Sequence, residues 1–300
     1  FPIVDGSVGE PQRPEIVYNE VENTYLLAWY ELNGGISVES YCLYSACVTY
    51  EIPRANLYAL KISADGIPTS SAPTLITNEL TDFDIRSEYD VAFNSNLNEY
   101  LVVWAQPPGG FIGNIAHPHR LMGQRLDSSL NILGSPVDIK PIVASDIRAT
   151  YSTGSNEYLV TNSYFIYGSR QYDLYAQRLD PTNLSNLGSS ITFTFFLGGW
   201  QTYPGVAYDS VEDTFLLTWH DNPTHPSGFG HIQGQLIQAG TGSRLGSDFL
   251  ILESIDGIFY DEPRLAHSPI EERYVVFGGV GTAPDLTGQY VSSNGVLEND

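Results

Sequence analysis

The sequence predicts an all-β protein, a five-bladed β-propeller with four-stranded antiparallel blades, and three observations support this prediction. One structural unit recurs five times along the 300 residues. Each copy opens with two short apolar segments separated by a polar turn, which is typical of a β-hairpin. Twenty tyrosines and 13 phenylalanines against a single methionine also favour strands over helices.

Aromatic anchors mark the first and second strands of every copy. In the second copy, Val91-Ala92-Phe93-Asn94 leads through a polar turn to Tyr100-Leu101-Val102-Val103-Trp104, with the two anchors seven residues apart. Copies two to five repeat every 57 to 59 residues, and so constant a spacing predicts duplication of one folded unit. The first anchors of the five copies are Tyr18, Phe93, Tyr151, Tyr208 and His267.

A third and a fourth strand complete the unit. The third carries a pattern such as Gly123-Gln124-Arg125-Leu126, and the fourth is a short segment such as Val137-Asp138-Ile139. The fifth copy ends before a fourth strand, and Phe1-Pro2-Ile3-Val4 supplies one, so we expect strand 1–5 to close a ring that hides its sheet edges. The sequence thus predicts a single domain over 1–300, with blade cores near 14–76, 89–139, 147–195, 204–252 and 263–297.

The repeat resembles those of bacterial and archaeal surface propellers. The resemblance is carried by Val91 through Trp104 and by Gly123-Gln124-Arg125-Leu126-Asp127, and it extends over essentially the whole chain. Asn162 and Gly278 depart from the pattern, because three other copies carry Trp there. The resemblance implies a secreted or cell-surface propeller, and it implies no particular activity because the matching residues belong to the scaffold.

Composition excludes several classes of partner. A formal net charge of −22 repels phosphate backbones and anionic lipids, so we expect no nucleic-acid binding and no binding to membrane surfaces. No apolar run reaches the roughly 18 residues of a membrane span, and no membrane insertion is expected. No Walker, dinucleotide-binding or G-x-S-x-G motif occurs, and no cofactor is expected.

The two cysteines indicate the compartment. Cys42 and Cys47 lie five residues apart in a tyrosine-rich stretch of the first copy. We expect a disulfide that closes a small surface loop, which requires oxidising surroundings. Phe1 stands where a start methionine would be expected, which indicates a removed signal peptide or an excised domain. The predicted location is extracellular or cell-surface.

The connections of variable length, among them 31–56 and 105–120, are expected at one end of the strands, and binding sites concentrate in such loops. Flat aromatic rings can stack on sugars, and arginine and histidine can bond their hydroxyls. The predicted partner is therefore a glycan or an extracellular protein; the alternative is that these side chains only pack the loops together. The candidate ligand-binding residues are Tyr164, Tyr167, Arg170, Trp200, Tyr203, His117, His119 and Tyr260.

Carboxylates offer a catalytic alternative. Five positions before each first anchor stand Arg13, Glu88, Asp146, Tyr203 and Glu262, which we expect at the mouth of the central channel. Three acids converging there would suit a carbohydrate-active hydrolase or lyase, since glycoside hydrolysis uses paired carboxyl groups. Two positions further along, Arg148 and Arg264 could instead neutralise them in a ring of structural ion pairs.

Metal binding has weaker support. His117 with His119, and His220 with His225 and His231, lack a further ligand at fixed spacing, so no metal site is predicted there. Acidic loop residues at Asp82, Asp84, Asp256 and Asp261 could hold calcium. The leading functional hypothesis is a recognition or scaffold module at the cell surface. The alternatives are the hydrolase or lyase and a structural subunit that assembles with copies of itself.

Overall fold

The computed structural model describes residues 12–43, 46–81, 89–106, 120–141, 144–166, 171–193, 199–222, 230–254, 260–280 and 286–298. Twenty β-strands run through these residues and form five antiparallel groups of four in chain order. We call these groups blades 1 to 5. Among these residues, none forms a helix with the length and hydrophobicity of a membrane span.

Two compact units divide the chain, Phe1–Ser145 and Asp146–Asp300. The first unit holds blades 1 and 2. Blade 1 contains β1 (Gln12–Asn19), β2 (Thr24–Leu43), β3 (Ala46–Ser63) and β4 (Thr74–Thr81), and blade 2 contains β5 (Tyr89–Asn94), β6 (Glu99–Gln106), β7 (Arg120–Asp127) and β8 (Ile132–Pro141).

The second unit holds the other three blades, apart from the first two residues of β9. The single domain over 1–300 stays a prediction. Blade 3 contains β9 (Ala144–Ser152), β10 (Glu157–Ile166), β11 (Gln171–Leu179) and β12 (Ile191–Thr192); blade 4 contains β13 (Trp200–Asp209), β14 (Thr214–Asn222), β15 (His231–Gln238) and β16 (Arg244–Leu252); blade 5 contains β17 (Tyr260–Ser268), β18 (Arg273–Val280), β19 (Leu286–Ser292) and β20 (Leu297–Glu298).

The first hairpin of each blade explains why small polar residues recur at its turn. The last residue of the first strand accepts a hydrogen bond from the turn backbone, as when Asn94 Oδ1 accepts from Leu97 N at 3.0 Å. The residue before the second strand is left-handed, a conformation that Asn and Asp tolerate better than most residues. These residues are Asn23, Asn98, Asn156, Asp213 and Glu272, with φ between 51° and 53°.

A glutamine in the third strand makes side-chain hydrogen bonds to the backbone of the fourth strand. Gln235 Nε2 donates to the Leu236 carbonyl at 3.0 Å and to the Leu245 carbonyl of β16 at 3.1 Å. Gln124 in blade 2 and Gln289 in blade 5 make the corresponding pair of bonds. The recurring Gly-Gln pattern is therefore a structural signal, because each amide satisfies backbone carbonyls where the outer pairing is irregular.

The apolar core lies between neighbouring blades of the same unit. In the second unit, Leu174 of blade 3 belongs to one buried cluster with Phe215 of blade 4, and Leu216 of blade 4 belongs to another with Val276 of blade 5. Blades 1 and 2 share a comparable cluster in the first unit. Burying each of these side chains stabilises the fold by about 1.5–3 kcal/mol, so that the blades stabilise one another.

Two sequence expectations are wrong. The fifth copy does have a fourth strand, since Leu297 and Glu298 of β20 pair with Val291 and Tyr290 of β19. The chain can return there because Gly295 adopts a φ of 83° in the turn. Connection 31–56 is mostly an extension of the β2–β3 hairpin, because backbone pairing continues along both strands. The predicted closing strand 1–5 lies outside the described residues.

A buried histidine distinguishes the contact between blades 4 and 5. The His267 Nε2 atom lies 3.3 Å from Asp209 Oδ2, and the two side chains are 3% and 0% exposed. The imidazole ring centre is 4.7 Å from that of Tyr274, and Ser293 Oγ lies 3.5 Å from Nε2. The other four copies carry a tyrosine or phenylalanine in place of His267.

We expect acid to lower the stability of the folded protein through His267. Burial lowers the pKa of His267 below its ordinary value of 6.5, and the charge of Asp209 offsets the effect only partly. The unfolded chain therefore takes up the proton more readily, and stability that is present above pH 6.5 is lost as the pH falls below it.

The test is the melting temperature by circular dichroism at pH 7.5 and pH 5.5. The fall on acidification should be a few degrees smaller in His267→Tyr, which restores the aromatic residue of the other copies. Equal falls in the two proteins would show that His267 does not control the effect.

Candidate functional site

A bulge interrupts the first strand of several blades at the same place. Pairing registers shift between Gln12 and Glu15, between Thr202 and Gly205, and between Asp261 and Arg264. One residue in each bulge is left-handed, and Asp146 is left-handed at the corresponding position of β9. These residues are Arg13, Asp146, Tyr203 and Glu262, with φ of 45°, 53°, 53° and 44°.

This backbone conformation is costly for residues other than glycine, by roughly 1–2 kcal/mol each. Bulges of this kind redirect a side chain and are common beside active sites. Four of the five positions singled out by counting back from the anchors thus share one unusual conformation. The fifth, Glu88, lies outside the described residues. We call Asp146, Tyr203 and Glu262, which belong to the second unit, the bulge rim.

Strand packing relates two members of the bulge rim. Strand β13 contacts β10 and β11 on one side and β17 on the other. A methyl group added at Gly205 would lie 3.0 Å from the Pro263 carbonyl oxygen, so the two backbones approach closely just beyond their bulges. Tyr203 and Glu262 therefore project from neighbouring bulges.

The two acids of the bulge rim have contrasting surroundings. Asp146 is 5% exposed and accepts a hydrogen bond on Oδ2 from the hydroxyl of Ser163, a fully buried residue of β10. Glu262 is exposed to solvent. One carboxylate is thus held in a fixed orientation by the protein, while the other is open to water.

A polar and aromatic group lies beside Tyr203 at the start of β13. The ring centre of Tyr203 is 6.3 Å from that of His220, and His220 Nδ1 lies 3.2 Å from Thr202 Oγ1. Glycine at 230 makes room for this imidazole, because a methyl group there would lie 1.6 Å from Nε2. The orientation of the His220 ring is therefore fixed by its contact with Thr202 and by the space that Gly230 leaves for it.

Trp200 and Tyr172 form a second aromatic pair at this end of the strands. Their ring centres are 5.0 Å apart, with an angle of 65° between the planes. The pair is set by a parallel backbone bridge between Tyr172 of β11 and Trp200 of β13, which joins blade 3 to blade 4. Both side chains are only partly buried.

The structure describes only some of the predicted ligand-binding residues. Trp200 lies in the aromatic pair with Tyr172, and Tyr203 lies beside His220. Tyr164 instead pairs across the strands with Asp173, on the face of blade 3 opposite Ser163. Burial, together with the charge and hydrogen bond of Asp173, raises the pKa of Tyr164. Outside the described residues or side chains lie His117, His119, Tyr167, Arg170 and Tyr260.

The structure describes only part of the residues on which the disulfide and calcium predictions rest. Cys42 and Cys47 stand directly opposite each other near the tip of the β2–β3 hairpin, and their side chains are outside the description. The disulfide stays a prediction, as does calcium at Asp82, Asp84, Asp256 and Asp261. The first three residues are not described, and neither is the side chain of Asp261. Among the residues that are described, no three histidine, cysteine or acidic side chains are grouped as metal ligands would be.

Sequence reasoning missed two of the contacts that build this site. Ser163 belongs to no motif, and its role depends on the pairing of β9 with β10, which brings its hydroxyl to Asp146. Thr202 is equally featureless in sequence, although it holds His220. Tyr172 belongs to the same aromatic stretch as Tyr164, and the sequence does indicate it as part of that aromatic connection.

Comparison with known proteins establishes the fold. No protein-family model matches the sequence, and no curated protein matches it. A thermostable family-43 glycoside hydrolase has a similar structure, with a TM-score of 0.54 and 12% identity over 97% of this chain and 94% of that one. An endo-arabinase from Bacteroides thetaiotaomicron gives a TM-score of 0.52 and 12% identity over 100% and 98%. Glycoside hydrolases of this family are five-bladed β-propellers, and the predicted fold class is confirmed.

Proposed function

We propose that this protein is a carbohydrate-active hydrolase whose active site is the bulge rim. The observation that supports it best is the left-handed backbone repeated at Asp146, Tyr203 and Glu262. Residues in such sparsely populated conformations persist where the surrounding structure enforces them, and they cluster at active sites. A scaffold of interchangeable blades has no structural need for acids at these positions, since β1 carries Arg13 there.

The surroundings of the two acids suit the two roles in glycoside hydrolysis. One carboxylic acid must protonate the leaving oxygen, and a carboxylate must activate water or attack the sugar. We assign the carboxylate role to Asp146, because the Ser163 hydroxyl donates to it and fixes its direction. We assign the proton-donating role to Glu262, because its exposed carboxyl group is accessible to a bound sugar. Glu88, at the corresponding position before β5, stays a candidate from the sequence.

The fold makes polysaccharides the substrates to try first. One similar structure is named a glycoside hydrolase and the other an endo-arabinase, and this chain shares their fold. An extracellular location, proposed from the sequence, would give the protein access to such polymers.

The test is release of reducing ends from neutral polysaccharides, with soluble arabinan and xylan as first substrates. We expect the wild-type protein to release sugar and variants of the bulge rim to lose that activity. Absence of product from every polysaccharide in a broad panel would contradict the proposal.

Glycan recognition without cleavage is the second candidate. It is favoured by the partly exposed Trp200–Tyr172 pair, which does not itself require a reaction. Binding of a polysaccharide with no release of reducing ends would select this candidate over the hydrolase. Protein binding and self-association remain proposals of lower rank, since no described contact points to either.

A further inference from the structure

Trp200 differs from every other tryptophan of the chain in its burial. Trp29, Trp104 and Trp219 occupy equivalent positions in the second strands of their blades and are 1%, 1% and 2% exposed. They are core residues of the repeat. Trp200 stands outside the repeat pattern, begins the first strand of blade 4 and keeps part of its side chain exposed.

The structure holds Trp200 in place at two points. Its backbone pairs with Asn222 of β14 on one side and with Tyr172 of β11 on the other. The Tyr172 ring meets it at a steep angle, so that this edge-to-face contact fixes the indole without covering it by a parallel ring. A large aromatic side chain that is rigid before binding loses little entropy when a ligand packs on it.

Polar side chains accompany the indole on the same face of the sheet. Residues directly opposite in an antiparallel pair point to the same side, and so do alternate residues along one strand. Asn222 opposite Trp200 and His220 opposite Thr202 therefore share its face. Asn222 is largely buried, at 7% exposed, whereas His220 is partly exposed. An aromatic surface beside a partly exposed imidazole is suited to a ligand that is flat, apolar on one face and hydroxylated at its edge.

We propose that Trp200, positioned by Tyr172, is a stacking subsite for uncharged pyranose units of a polysaccharide that binds at the bulge rim. The inference rests on the proposed function and specifies its substrate. Pyranoses with equatorial hydroxyls, such as xylose and glucose units, present a face of C–H bonds to the electron-rich ring. The formal charge of −22 disfavours polyuronates and sulfated chains, because they are anionic.

The test is isothermal titration calorimetry in a Glu262→Gln background, which keeps the polymer intact during measurement. Soluble xylan or β-glucan should bind, and polygalacturonate should not. Trp200→Ala should weaken binding at least about 10-fold, whereas Trp200→Phe should retain most of it. Tyr290→Ala is the matched control, since this aromatic residue lies near the hairpin-turn end of blade 5, where it contacts Arg273.

Three outcomes would overturn the inference: unchanged affinity in Trp200→Ala, equal affinity for polygalacturonate, or no binding of xylan and β-glucan. The wild-type assay separates these failures from failure of the proposed function. Xylan binding that depends on Trp200, without any release of sugar, would leave the subsite standing and exclude hydrolysis. Release of sugar at the same rate in wild type and Trp200→Ala would support hydrolysis and exclude the stacking subsite.

Discussion

Asp146→Asn is expected to lower the rate of reducing-end release by about 10²- to 10⁴-fold, the usual contribution of a positioned acid or base. An amide has nearly the shape of the carboxylate and can still accept the Ser163 hydrogen bond, but it can neither carry the charge nor take up a proton. The loss should therefore appear in the rate without a comparable loss of folding. Initial rates and melting temperatures measured on the same preparations would separate the two effects.

Glu271→Gln is the control for this experiment. Its side chain is 55% exposed and pairs with Arg273 at the hairpin-turn end of blade 5, far along the strands from the bulges. We expect it to leave the rate unchanged. A fully active Asp146→Asn protein would remove Asp146 from the mechanism, and an equal loss in both variants would show that the effect is not specific to the bulge rim.

Glu157→Gln is expected to destabilise the second unit by about 3–5 kcal/mol, because it leaves a largely buried guanidinium without its counter-charge. The Glu157 and Arg178 side chains are 1% and 11% exposed, and Arg178 Nη2 lies 2.7 Å from Glu157 Oε2. Glu157 Oε1 also accepts from the backbone N of Gly240, in the β15–β16 turn, at 2.9 Å. The pair thus links blade 3 to blade 4. Urea unfolding followed by tryptophan fluorescence would measure the loss.

The second copy of the repeat supplies the comparison. Glu99 and Arg125 occupy the same positions in blade 2, but their side chains are 15% and 20% exposed. Water can partly solvate Arg125 when its partner is removed, so Glu99→Gln should cost about 1 kcal/mol or less. Equal losses for the two variants would mean that burial of the pair does not determine its contribution.

The fold was predictable because its signals are local and occur five times. An anchor such as Phe93 lies opposite its partner Tyr100 in the structure, as the seven-residue spacing requires. The extended pairing of β2 with β3 was not predicted, because it occurs in one copy only and comparison of the repeats cannot detect it. Strand β20 was not predicted from the sequence, because it has only two residues and shows no recognisable strand pattern.

The candidate site was predictable only as a set of positions. Counting back from the anchors finds Asp146 and Glu262, but no residue type indicates that both adopt a left-handed backbone or that the strand pairing shifts beside Glu262. The hydrogen bond from Ser163 and the bridge between Tyr172 and Trp200 join residues from different strands. Contacts of this kind follow from tertiary packing, which spacing along one strand does not encode.

Hydrogen exchange of the Glu262→Gln protein, with and without soluble xylan, arabinan or β-glucan, tests most directly the claim that function is located at the bulge rim. Peptides that cover 144–148, 199–205 and 260–264 should exchange more slowly when polysaccharide is bound, because a ligand at the bulges shields these backbone amides. Slower exchange confined to the hairpin turns at 153–156, 210–213 and 269–272, or unchanged exchange throughout with every one of these polysaccharides, would contradict the account.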